Sequence, residues 1–160
     1  MSDLILARAL HVLAIVIWIG GVCMVTTVLL PTIRKNFSSS ERLSIFHRIE
    51  SRFATQARFT TLIAGLSGFY MVWRMQIWNR FEHIEFWWMH AMFLVWLIFT
   101  TMLFVIEPFI LNKKLGNSGQ QQPDKVYVKV QRLHWFLLTI SFITIIGAVM
   151  GSHGFVFFEK

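Results

Sequence analysis

Apolar positions fall in four long blocks along the chain, separated by short polar and mostly basic stretches. One block runs without a formal charge from Ala9 to Leu30, and another from Phe86 to Ile106. Crossing roughly 30 Å of hydrocarbon takes a helix of about 20 apolar residues. The pattern therefore predicts spans near 5–30, 54–76, 86–107 and 130–152. The second is the least apolar, since only 15 residues, Phe59 to Trp73, separate Arg58 from Arg74. Long arginine stems let both charged heads reach the interface, which keeps this block a span. Ahead of it, Ser38-Ser39-Ser40-Glu41 spells a capping box with Ser38 at N-cap and Glu41 at N3. Leu43, Phe46, Ile49 and Phe53 follow at helical spacing, so a helical extension is expected near 39–53. The polar run from Asn117 to Pro123 reads as a loop. With no repeat and no room for a second domain, residues 1–160 are expected to form a single transmembrane domain. Its fold class is all-α, an integral membrane four-helix up-down-up-down bundle.

Composition agrees, because the chain is 56% hydrophobic and 14% charged, well below the roughly 25% charged residues of a soluble domain. The apolar run of the first block is longer than a signal-peptide core, so it is expected to persist as a transmembrane helix. Charge adds orientation. Arg34, Lys35, Arg42, Arg48, Arg52 and Arg58 lie between or beside the first two blocks, and Lys113, Lys114, Lys125, Lys129 and Arg132 between the last two. The other side carries Arg8, Arg74, Arg80 and Lys160. The positive-inside rule then places both termini and the 77–85 connection outside a bacterial-type inner (cytoplasmic) membrane, crossed in several passes. The formal net charge of +7 records topology, with contact to anionic lipid secondary. Nucleic acid is not an expected partner.

Candidate chemistry is narrow. A P-loop, a dinucleotide fingerprint and a glycosidase carboxylate pair are absent from the sequence, and Cys23 is a single cysteine with the character of a packing residue. His11 and His90 stand out, each the lone histidine of its apolar block. An imidazole in hydrocarbon is costly unless paired, ligated or facing a polar cavity. Helices 1 and 3 of an up-down bundle are diagonal neighbours, and the two histidines lie about two residues, or ~3 Å, apart in depth. They are expected to face one another as axial ligands of one b-haem iron, with a metal-ion site or plain hydrogen bonding as the alternatives. Ala57, Thr61, Ala64, Gly65 and Gly68 thin one side of the second helix, either to admit a porphyrin edge or for close helix packing. Arg8 and Arg74 are candidate partners of haem propionates, and Trp18 and Trp96, deeper in their helices, are candidate cofactor neighbours. His134 and His47 are too far apart in depth to hold a second haem. Arg58 and Glu107 are expected at one depth as an ion pair that sets helix register, with a proton or electron relay as the alternative.

The segment Arg8-Ala-Leu-His-Val-Leu-Ala-Ile-Val-Ile-Trp-Ile-Gly-Gly21 resembles the first-helix signature of the copper-resistance D superfamily and of the related HemJ-type protoporphyrinogen oxidase. The likeness extends to Arg52 through Tyr70 and to Trp87-Trp88-Met89-His90, and it departs at Ala91, where the oxidase carries a basic residue. The resemblance implies a small bundle of membrane helices with b-haem on the helix-1 histidine and an essential helix-3 histidine, here His11 and His90. The function expected is electron transfer or oxidoreduction with a quinone or other membrane redox partner, possible protoporphyrinogen oxidase chemistry included. The lipid bilayer is the other expected partner, and pairing of two copies as a homodimer is open. The alternative is copper handling: Met71, Met75, Met89, Met92 and Met150, with His11, His83, His90 and His153, sit near the outer ends of their helices, and soft thioethers with imidazoles select Cu(I), against ordinary core methionines as the default. A bundle with no cofactor, serving as an assembly subunit, is the third expectation.

Overall fold

The computed structural model describes the backbone of residues 1–111 and 123–155 and the side chains of residues 1–107 and 124–155. Among the described residues every regular element is helical. Helix α1 spans Ser2–Asn36, α2 Ser39–Met75, α3 Trp87–Thr101 with a π-helical continuation over Met102–Leu111, and α4 Pro123–Ser152. Two 3₁₀ turns, Trp78–Glu82 and Ile84–Phe86, join α2 to α3. The 117–123 loop expectation lies outside the described residues apart from Pro123, which starts α4. Ser2–Asn36, Ile84–Glu107 and Asp124–Ser152 are long and apolar enough to cross a membrane. By the same measure α2 falls short. Its first half is the polar extension, and one continuous 37-residue helix carries both extension and apolar block.

Local chemistry accounts for the helix ends and irregularities. The capping box expected at Ser38 and Glu41 is present, with Glu41 accepting from the Ser38 backbone N–H at 3.1 Å. Both π segments occur at prolines: Val25–Leu29 ends two residues before Pro31, and Met102–Leu111 contains Pro108. A proline has no N–H to donate four residues back, and a widened turn absorbs the break without ending the helix. In α3 the wider turn leaves the Leu103 carbonyl to accept from Arg58 Nε at 3.1 Å.

Helices pack by seating rings on glycines. Helix α1 packs chiefly on α2, and α3 on α4, while α2 also meets α4. Gly21 receives Phe53, Gly65 receives Trp96, Gly68 receives His11, Gly147 receives Trp87 and Gly151 receives Trp88. Such residues allow close approach where lipid leaves little hydrophobic driving force between helices. Ala14, Trp18, Ile19, Val22, Ala57 and Phe99 belong to the central core. A second core, of Val25, Leu30, Ile33, Phe46 and Tyr127, sits nearer the basic connections, closed by a bond from Tyr127 Oη to the Leu30 carbonyl at 2.6 Å. The molecule thus has a basic end, at the basic connections, and a short-turn end, at the 3₁₀ turns.

Candidate functional site

His11 is half-buried between α1 and α2. Its Nδ1 lies 2.8 Å from the Ala64 carbonyl and 3.2 Å from Ser67 Oγ. A carbonyl only accepts, so Nδ1 carries the proton and a neutral ring keeps its lone pair on Nε2. The glycine beneath makes this seat possible: a Cβ at position 68 would meet His11 Cε1 at 3.1 Å. Ser67 is itself held by the Ile63 carbonyl at 2.5 Å. The ring is therefore fixed in orientation and tautomer by α2.

His90 is in a different setting. It is exposed, and its Nε2 donates to the Phe81 carbonyl of the short connection at 2.8 Å, with the two rings edge to face at 5.4 Å. Across α2 and α3, Phe93 meets Phe69 and Trp96 meets Phe69, so His90 lies about one helical turn beyond Phe69 toward the short-turn end. His11 is level with Ala64 to Gly68. No contact joins the two histidines among the described residues. Arg74 is committed to Asp3, 3.1 Å from its carboxylate, which also accepts from Tyr70 Oη at 3.0 Å. Arg8 is exposed, on an apolar face with Ile5, Val12 and Val16.

The thinned side of α2 is filled by protein. Trp96 covers Gly65 and donates from Nε1 to the Thr61 carbonyl at 3.0 Å. Trp18 is 4% exposed, with its ring edge to face on Phe99 at 4.8 Å. Close packing is thus what the small residues serve in this conformation. Among the described residues no group of three or more His, Cys, Asp or Glu side chains is arranged to hold a metal ion.

At the basic end a charged group joins α2 and α3. Arg58 Nη2 lies 3.2 Å from Glu107, as the matching depths lead one to expect. His47 Nδ1 stands 3.9 Å from Glu50 on the adjacent turn. Burial, reinforced by the negative charge of Glu107, pushes the Glu50 carboxyl up to about 8. His134 packs against Phe46 and donates from Nδ1 to its own helix at the Val130 carbonyl, 2.9 Å away.

Sequence reasoning missed Ser67 and Glu50. Ser67 carries no motif, and only its place three residues after Ala64 puts it beside His11. Glu50 stands out only through its i,i+3 spacing to His47 at the start of a span. Comparison of the chain with family models, with curated proteins and with solved structures gives no match.

Proposed function

We propose that the chain is a four-helix up-down-up-down protein of a bacterial-type cytoplasmic membrane that binds one b-haem through His11 and exchanges electrons with a quinone or other lipid-phase partner. The observation that carries this reading is the seating of His11. A ligating histidine characteristically donates its second ring N–H to a carbonyl or carboxylate, which sets the tautomer and raises the basicity of the ligating nitrogen. Here Ala64 and Ser67 supply that partner and leave Nε2 as the donor atom. His90 keeps Nδ1 as its lone-pair nitrogen, the atom that would serve as a second ligand.

When bound, the haem supplies a one-electron iron couple whose potential follows its axial ligands and burial. The chain's own residues do the rest. His11 would hold the iron, Ala64 and Ser67 orient it, and the Trp18–Phe99 contact packs α1 on α3. Exposed Phe59, Leu62, Ile63 and Leu66 give α2 an apolar outer surface, which supports a fourth span. The orientation with both termini outside follows from the basic connections. Kinship with HemJ-type oxidases would extend the substrate to a porphyrinogen.

The absorbance spectrum of the purified protein tests the reading. A Soret band with a sharp α-band on reduction is the expected result. Bound copper without a Soret band, or no chromophore after haem is offered, would overturn it.

A further inference from the structure

Buried serines and threonines in these helices follow one habit. Thr26, Thr60, Ser67, Ser141 and Thr144 each donate to the carbonyl four residues back, the usual way a hydroxyl is satisfied inside a membrane helix. Thr61 and Thr100 depart from it. The hydroxyl of each is buried without a partner among the described residues, and so is Trp18 Nε1. Thr61 is 0% exposed and Trp18 4%.

The three atoms come from three neighbouring helices. Thr61 and Thr100 lie on stretches of α2 and α3 that meet: Trp96 bonds the Thr61 carbonyl, Arg58 bonds the Leu103 carbonyl, and Thr100 lies between Trp96 and Leu103 on α3. Trp18 lies on α1 between His11, which meets Ala64, and Gly21, which meets Phe53. That interval brings Trp18 level with Ala57, about one turn from Thr61. Arg58 and Glu107 stand about one turn from Thr61 toward the basic end, with Glu50 and His47 beyond them.

We propose that bound water occupies the centre of the bundle between Trp18, Thr61 and Thr100 and continues to the Arg58–Glu107 pair, forming a proton path from the core to the basic end. A water that accepts from the indole N–H and donates to the two hydroxyls has three polar partners, the typical number for a buried water. Dry, the same three atoms would each bear the cost of desolvation with no compensating bond. The raised affinity of Glu50 for a proton gives the path a loading group. The proton transferred forms an O–H bond on a Glu50 carboxylate oxygen as an O–H bond of the donating hydronium breaks, with no change in oxidation state. The groups facing Glu50 are His47 on its own helix and Glu107 on α3, the latter paired with Arg58. The site needs no haem and stands apart from the electron-transfer reading.

Radiolytic hydroxyl-radical footprinting of the protein in lipid nanodiscs tests it, because radicals form from water held beside a side chain. Trp18 is expected to label at least about threefold faster than Trp88, which is equally buried at 6% exposed and packed on Gly151. A Thr61→Val/Thr100→Val protein should lose most of that labelling. Infrared difference spectra between pH 7 and pH 9 should show a protonated carboxyl band that shifts in D₂O and disappears in Glu50→Gln. Trp18 labelling no faster than Trp88 would overturn the water, and this comparison needs only the wild-type protein. A carboxyl band unaffected by D₂O, or retained in Glu50→Gln, would overturn the path.

Discussion

Glu50 shows how one side chain ties the chain's stability to pH. Its carboxyl is raised from an ordinary 4.5 to about 8 by burial first and by Glu107 second. A carboxyl raised on folding makes the native state the better proton binder, so its contribution is fully present below about pH 4.5 and is lost as pH rises through about 8. Thermal unfolding in detergent should therefore show a midpoint that falls between pH 5 and pH 9, and Glu50→Gln should flatten most of that slope. A slope unchanged in the variant would place the titrating group elsewhere. At this scale His11, Trp18 and the Arg58–Glu107 pair are legible in the sequence, because a polar residue inside an apolar block announces itself. Their partners are not. The group that orients His11 is the backbone carbonyl of Ala64, and a carbonyl leaves no mark in a sequence.

Helix α2 is the element that organises the others, and it starts at its cap. Ser38 and Glu41 satisfy the first orphan N–H groups of a 37-residue helix reciprocally. Ser38→Ala should destabilise the first turn by about 1 kcal/mol. Faster amide hydrogen exchange confined to residues 39–43 is the expected readout, with the apolar half of α2 unchanged. Exchange that rises along the whole helix would mean that the cap governs the span as well. The capping box is readable because it is local, four consecutive residues with one geometry. The π segments are readable only in part: Pro31 and Pro108 signal a break in the ladder, but whether a helix kinks, ends or widens depends on the packing around it. In α3 the widened turn coincides with the bond from Arg58 to the Leu103 carbonyl, a partner 45 residues away that no local pattern reveals.

For the whole molecule, hydropathy makes four helices legible, and three of them are long and apolar enough to span a membrane. It leaves the arrangement open. Which helices meet depends on rings seated at Gly21, Gly65, Gly68, Gly147 and Gly151, and a glycine pattern does not say which ring will fill it. Depth is a one-dimensional reading, whereas the direction of the His11 and His90 rings is set by Ala64 on one side and Phe81 on the other. The account therefore rests on His11. Titration of haem into the purified apoprotein, followed by absorbance, compares wild type with His11→Ala and His47→Ala. Wild type and His47→Ala should bind alike, and His11→Ala should weaken binding beyond the roughly 10–100-fold that losing an outer-shell partner costs. Equal binding and an unchanged spectrum in His11→Ala would contradict the central claim.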